Sequence, residues 1–394
     1  MKVLFWLFIG LDRQETSTHL LVSVIEQLCK SGHEVHILQK DTGGELPSIP
    51  DCLSNYPVTT TTIPFEKASK GNFIARYFKE LIYISKCKKY LKTEYDAVFI
   101  QSNTVAGFAV KALSKKLPNA RITFNVQDIF PYNLMYCGRI KQNGLLFKLL
   151  AKEQRYAYTH ADHVITISED MKDTLVNDGV NEDKISVIYN WSYQDEPYVN
   201  IDTSPVSNMF DKQYFNVVYA GNIGMMQNVD ILIEAAKLMK EDKNVWFHII
   251  GNGIYKDNLE AKALDYGIKN ISFWPIQKPE LAPVIYSAAD VNVIPLKKNI
   301  YRTALPSKTA TCLACGKPII FAVGKESQFG NKVMIEAGCL VVDADKPEEL
   351  AEALQLVHYE NRDNSSITLF EQYFKNSKNS IKYAEIIINF PYNV

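Results

Sequence analysis

Residues 218–236 read VYAGNIGMMQNVDILIEAA. Val217, Val218, Tyr219 and Ala220 form an apolar run that suits a buried strand, Gly221 to Gly224 a tight turn, and Val229 to Ala236 a helix by apolar spacing. A strand, loop, helix unit of this kind directs unpaired backbone N–H groups, at the positive end of the helix dipole, beyond the strand's carboxyl end. A phosphate fits there. Taken alone, a single GNIG is more often an ordinary chain reversal, so the neighbouring segments have to decide.

They repeat the pattern. After NVVYAG come VWFHIIGNG, NISFWPI, VNVIPL, KPIIFAV and CLVVD, each separated by helical spacing. The first half alternates in the same way: KVLFWLFI, a helix from about Thr18 to Lys30, EVHIL, then YDAVFIQ (95–101), ARITFNV (120–126) and DHVITIS (162–168). Strands apolar throughout and separated by helices predict parallel sheets covered on both faces, hence an α/β chain of two Rossmann-like domains. The expected boundaries are 1–189 for the first domain and 190–213 for a polar, proline-bearing linker. The second domain follows over 214–375, and a closing helix over 376–394 packs back toward the first. Such domains bind ligands at the carboxyl ends of their strands, so a cleft between two facing sheets is expected.

Composition sets limits on partners. Forty-three basic and forty-four acidic residues leave a formal charge of -1, which argues against a general nucleic-acid binder. Seven cysteines, an odd number in apolar surroundings, suit a reduced compartment rather than a disulfide framework. Cys312 and Cys315 form CxxC without a second pair or a histidine at ligand spacing, so they are expected on a buried helix with no zinc or redox role. The opening MKVLFWLFIGLD is short, lacks a small-residue cleavage site and leads into a helix and strand, so it is expected to be a buried strand rather than a signal peptide. No run has the length of a transmembrane helix.

Four loops converge at the carboxyl edge of the second sheet. The first offers Gly221, Asn222, Ile223, Gly224 and Gln227, the second Gly251, Asn252 and Gly253, the third Pro275 and Ile276, and the fourth Pro306, Ser307, Lys308 and Thr311. LPSK places Ser307 and Lys308 where a helix begins, so hydroxyl, N–H groups and ammonium can meet a diphosphate, with Arg302 a second cation. The bland alternative is a solvated lysine in a first turn, though helix dipoles disfavour a cation there. In the first half Asp128 follows ARITFNV, where a carboxylate could accept a hydroxyl's proton; an Asx-type turn before Pro131 is the alternative. DAD (343–345) is not read as a metal site, since Asp345 suits an N-cap before KPEELAEAL.

AGNIG with its apolar helix, IIGNG, IYSAADVNVIPL, LPSKTATCLACGKPII and EAGCLVVDADKPEELAEAL together resemble the donor-binding domain of glycosyltransferase family 4, of GT-B fold. SGHEV, VQDIFPYNL, the EQRYAY helix before ADHVITISEDM, and VIYNW resemble the same family's first domain. The pattern is most similar to bacterial enzymes that add N-acetylfucosamine-type amino sugars during O-antigen and capsule synthesis. The resemblance implies a UDP-sugar donor held by the second domain and a lipid-linked saccharide acceptor by the first. It implies no metal and no other cofactor, and usually retained stereochemistry. Asp128 falls where the family faces the reaction centre with a polar residue; Gly10, Asp12 and Asn190 fall on its acceptor side or in its cleft, Gly10 and Asp12 in the loop where the family has paired glycines near the donor and this chain has one.

This chain departs from the family at four positions. Met225 and Met226 stand where a cation often follows the GNIG-like turn, and the family's paired glutamates fall on Thr303 and Thr311. The leaving diphosphate's charge can still be met by Lys308, Arg302 and the N–H groups of residues 222–224. Two other functions share the architecture: a UDP-sugar epimerase of GT-B fold, and a catalytically silent nucleotide-sugar-binding scaffold.

Two basic stretches point to a membrane surface. Residues 66–92 hold eight basic and two acidic residues, and 139–155 five basic and one acidic. Phe73, Tyr77, Leu81 and Ile84 recur at helical spacing in the first. An anionic bilayer suits such helices, about 1 kcal/mol for each lysine or arginine near it; for either stretch alone the alternative is an ordinary solvated helix whose apolar stripe is core, and the two together favour the membrane. The expected location is cytoplasmic, peripherally bound to the inner face of the plasma membrane.

Overall fold

The computed structural model describes residues 1–11, 18–41, 49–66, 73–92, 94–142, 144–360 and 366–389. The chain divides into two units, Met1–Asn190 with Asn376–Val394, and Trp191–Lys375.

The first unit runs β1 (Lys2–Trp6), α1 (Thr18–Lys30), β2 (Glu34–Asp41), β3 (Val58–Pro64), α2 (Phe73–Cys87), β4 (Ala97–Gln101), α3 (Ala106–Lys116), β5 (Arg121–Val126), α4 (Tyr132–Tyr136), α5 (Leu145–His160), β6 (His163–Thr166), α6 (Glu169–Asn177) and β7 (Ile185–Val187). Its seven strands lie in the order β3-β2-β1-β4-β5-β6-β7, every adjacent pair parallel. The central strands are buried almost end to end because helices cover both faces, which is why they are apolar at successive positions.

The second unit runs β8 (Phe215–Ala220), α7 (Asp230–Leu238), β9 (Val245–Ile250), α8 (Lys256–Asp265), β10 (Ile271–Trp274), α9 (Ala282–Ala288), β11 (Val291–Pro295), α10 (Thr309–Ala314), β12 (Ile319–Ala322), β13 (Leu340–Val342), α11 (Pro347–Glu360) and α12 (Ser366–Tyr373), with a π-helical turn at Phe329–Met334. Its sheet is β10-β9-β8-β11-β12-β13, again parallel. Val217 and Tyr219 of β8 pack with Ile231, Leu232 and Ala235 of α7 and with Val293 of β11 in one core. The stretch 191–213 lies in this unit: Tyr198 N–H donates to Ala314 O at 2.8 Å, and the buried Phe210 ring lies 4.8 Å from His248.

The chain then returns to the first unit as α13 (Asn376–Ile388), which packs on α1. Asn379 donates to Tyr189 O at 2.9 Å, Tyr383 to Asn125 Oδ1 at 3.2 Å, and Arg121 to Ile388 O at 3.0 Å.

Two strands were not anticipated. β3, VTTTTIP, is an edge strand exposed at Thr59, Thr62 and Pro64, and its threonines give no apolar run. β7 has three residues at the opposite edge. Two smaller expectations are corrected. Asp345 is not the N-cap of α11, which starts at Pro347; its carboxylate pairs with Lys298 at 3.1 Å, while Glu349 accepts from Asp343 N–H at 3.0 Å. On α2 the stripe Phe73, Tyr77, Leu81 and Ile84 faces inward, with Ile84 buried and Phe73 stacked 6.2 Å from Phe130.

Candidate functional site

In each sheet the strand order reverses between its first strand and the one after the crossover, β1/β4 in the first unit and β8/β11 in the second. Open α/β sheets bind ligands at such a switch point, beyond the strands' carboxyl ends.

In the second unit the loop after β8 is built by close backbone approach. Gly221 N–H donates to Ile250 O at 2.9 Å, and Ile223 N–H to Asn252 O at 2.9 Å. A Cβ on Gly251 would stand 1.9 Å from Gly221 O, and one on Gly253 2.1 Å from Ile223 O. Glycines are required there because the GNIG and GNG loops lie one on the other; Gly221 and Gly251 also have φ of +146° and +152°. Asn222 donates to Gln227 Oε1 at 3.3 Å across Gly224. Ile223 is fully buried and anchors the loop, leaving Asn222 exposed.

Lys308 comes to the same place from the loop after β11. Its residue is partly exposed, but its ammonium nitrogen is out of contact with solvent and has no hydrogen-bond partner. Nζ lies 3.8 Å from the centroid of the Tyr219 ring and 2.7 Å from where a Cβ on Gly221 would sit. The cation–π contact offsets only part of the desolvation of a charge. Burial accordingly pushes the amine down to about 8. An unpaired ammonium beside a glycine loop lacks an anion. Tyr219 takes part twice, since its hydroxyl donates to Asn222 O and fixes the loop; only the apolar run marked this residue in the sequence, so its role was not anticipated.

The other expected residues divide. Ser307 is exposed and Pro306 half-buried, both one turn before α10, while Thr311 lies inside that helix. Pro275 and Ile276 are exposed after β10. Arg302 is exposed in a short 3-10 turn with its guanidinium 5.3 Å from the Tyr301 ring centroid, so its position beside Tyr301 is established and a place beside Lys308 is not. Thr303 is buried and its hydroxyl donates to Ile300 O at 3.0 Å, so it faces backbone rather than a ligand. Cys312 and Cys315 are buried free thiols, Cys315 pushed up to about 12 by burial. Among the described residues no cluster of three or more His, Cys, Asp or Glu could hold a metal ion.

In the first unit Asp128 follows β5. Water reaches this exposed residue, yet the protein surrounding it desolvates the carboxyl and raises it to about 7; the exposure is the direct geometric fact, so the direction of that shift is what bears on its chemistry. Beside it lies a polar network that sequence spacing did not reveal. Asn190 donates to Gln127 Oε1 at 2.7 Å, Gln127 to Asn125 Oδ1 at 3.1 Å, and Gln127 N–H to Ser102 Oγ at 3.2 Å. Asn190 is thus brought to Gln127, the residue before Asp128, with its own Oδ1 buried and unpartnered. Gly10 is buried after β1; Asp12 lies outside the described residues.

Comparison with known proteins identifies the family and the fold. The model of Glycosyltransferase Family 4 matches residues 18–191 and that of Glycosyl transferases group 1 matches residues 200–368, together most of the chain. The chain belongs to the family 4 glycosyltransferases of GT-B fold. It is 26% identical over 226 residues to the probable glycosyltransferase WbjE of Pseudomonas aeruginosa, covering 54% of this chain and 53% of that protein. It is 26% identical over 225 residues to the putative colanic acid biosynthesis glycosyl transferase WcaI of Escherichia coli K12, covering 56% and 55%. The chain spans about half the length of these curated relatives. Among solved structures, Anabaena Alr3699/HepE in complex with UDP shares the fold at a TM-score of 0.74 and 14% identity, covering 99% of this chain and all of that one.

Proposed function

We propose that this family member is a glycosyltransferase that moves an N-acetylated amino sugar from a UDP-sugar donor to a lipid-linked saccharide in bacterial capsule or O-antigen synthesis. The observation that carries the reading is the Lys308 ammonium, without a partner, against the Gly221 loop. Relatives lend support: WcaI bears a colanic acid biosynthesis description, and HepE has been crystallised with UDP and with UDP-glucose. In transfer the bond from the anomeric carbon to the β-phosphate oxygen breaks and one to the acceptor hydroxyl oxygen forms. Negative charge grows on the departing UDP, and Lys308 with the N–H groups of Asn222 and Gly224 stabilises it without a metal, the Ile223 N–H being held by Asn252 O. Asp128 takes or orients the acceptor hydroxyl's proton. Retained stereochemistry follows the family habit. The lipid-linked acceptor calls for peripheral attachment to the inner face of the plasma membrane through the basic stretches 66–92 and 139–155; Lys67 and Lys70 lie outside the described residues, and among those described no helix is long and apolar enough to cross a membrane.

Calorimetry and thermal shift against UDP, GDP, dTDP, CMP and UDP-amino sugars test the donor site. Selective binding of UDP and one UDP-amino sugar is expected, weakened about 100-fold or more in Lys308→Ala by loss of a buried charge-assisted contact. Equal binding by Lys308→Ala removes the residue from the site. A silent scaffold is favoured by one observation, the turn of Thr303 toward backbone where the family holds a carboxylate. Donor binding without transfer to any lipid-linked acceptor would select it.

A further inference from the structure

Seven of the eighteen large apolar side chains exposed among the described residues lie on three neighbouring helices of the first unit. On α2, Ile74, Phe78 and Ile82 are 67%, 60% and 55% exposed and recur at i, i+4 and i+8 on a face turned about 100° from the stripe of Phe73, Tyr77 and Leu81. On α5, Leu145 and Leu149 are 75% and 58% exposed with Leu146 between them, and Phe108 at the start of α3 is 43% exposed. Single exposed apolar residues are ordinary, but rows on adjacent helices are not.

The inward faces lock these rows in place. Phe73 of α2 stacks on Phe130, and Phe147 of α5 meets Tyr132 edge-on at 5.3 Å, so both helices are fixed to the segment that follows Asp128. Glu153 of α5 accepts from Phe108 N–H at 3.0 Å and holds α3 to α5. The rows therefore stand on helices packed into the body of the first unit, where together they make an apolar surface. Its borders are basic: Lys79, Lys86 and Lys88 along α2 and beyond, Lys148 and Lys152 on α5, all but Lys79 exposed.

We propose that Ile74, Phe78 and Ile82 of α2, with Leu145 and Leu149 of α5, insert into the outer acyl region of an anionic bilayer while the flanking lysines engage its headgroups. The proposal rests on the membrane attachment of the function proposed above and assigns it a surface. Charge complementarity selects the occupant: an apolar row with basic borders suits an interface of anionic headgroups over hydrocarbon. It also predicts two separable components, a salt-sensitive one from the lysines and a salt-resistant one from the apolar rows.

Vesicle co-sedimentation of the full chain tests it, using phosphatidylcholine alone and phosphatidylcholine with 30% phosphatidylglycerol. The intact protein is expected to pellet with the anionic vesicles and to retain part of its binding at ~0.5 M salt. Ile74→Ser/Phe78→Ser/Ile82→Ser, and separately Leu145→Ser/Leu149→Ser, should each lose the salt-resistant part, about tenfold or more in partition. Lys79→Gln/Lys86→Gln should lose mainly the salt-sensitive part. Far-UV circular dichroism and UDP binding unchanged in all variants show that folding and donor site are intact. Three results overturn the proposal: an intact protein that stays in solution with both vesicles, binding that the serine variants leave unaltered, or a dimer in sedimentation velocity that those variants dissolve. Unaltered binding would leave attachment through charge standing, and loss of UDP binding with vesicle binding retained would count against the donor reading instead.

Discussion

Lys308 places two demands on one side chain, since the site that favours a diphosphate must first hold an unpaired ammonium. With the amine lowered from 10.5 to about 8, the unfolded chain binds more protons between those values, so this residue's penalty is full below pH 8 and fades as pH rises toward 10.5. Lys308→Met should therefore stabilise the ligand-free protein at pH 7, on the order of 1–3 kcal/mol, while abolishing UDP binding; a lower melting temperature would contradict the buried penalty. The kcat/KM profile for transfer should rise, above the usual carboxylate range, as Asp128 loses its proton and fall above about 8 as Lys308 loses its own. If Asp128→Asn retains the acidic limb, the base lies elsewhere. Gly251 has less freedom, because any Cβ meets Gly221 O at 1.9 Å. Gly251→Ala should cost about 2–4 kcal/mol, and an unchanged melting temperature would mean that the two loops can part.

At the scale of elements, β2 and α2 are joined by a buried ion pair. Lys40 Nζ lies 2.6 and 2.7 Å from the two Glu80 oxygens, with the Phe65 ring centroid at 4.0 Å. Burial lowers the lysine against the pull of Glu80. Glu80→Gln strands that charge and should cost about 3–5 kcal/mol in denaturant unfolding, whereas Lys40→Met/Glu80→Leu should come close to the parent; equal losses in both would place the energy in packing. Elements differ in how openly the sequence displays them. The six strands of the second unit are apolar at successive positions because both faces are covered, and they could be read directly. β3 has one partner and one wet side, so its threonines resemble a loop. On α2 two apolar stripes share one helix, 73/77/81/84 and 74/78/82, and spacing cannot say which one meets the core. The glycine loops and Lys308 were visible as residue types, but the ring beneath the ammonium needed the register of β8. Gln127 and Asn190 are far apart in sequence and meet only once the strands after β4 are in place.

Across the whole molecule, a formal charge of -1 conceals a first unit with two strongly basic stretches, so the local field is set by distribution rather than total. The first unit is also discontinuous, since α13 comes from the far end of the chain and supplies partners to Tyr189, Asn125 and Arg121. Removing residues 376–394 uncovers the face of α1 under α13 and should lower the first transition in calorimetry while preserving UDP binding by the second unit; loss of both would mean that the units do not fold independently. Tyr383→Phe, which removes one buried hydrogen bond, should cost about 1 kcal/mol.

That return crossing has a bearing on synthesis. While a ribosome makes Trp191–Lys375, roughly 10–40 s at ~5–20 residues per second, the nascent first unit waits with the apolar side of α1 bare. A chaperone that captures apolar segments has that interval in which to bind, and it must let go when the last helix emerges.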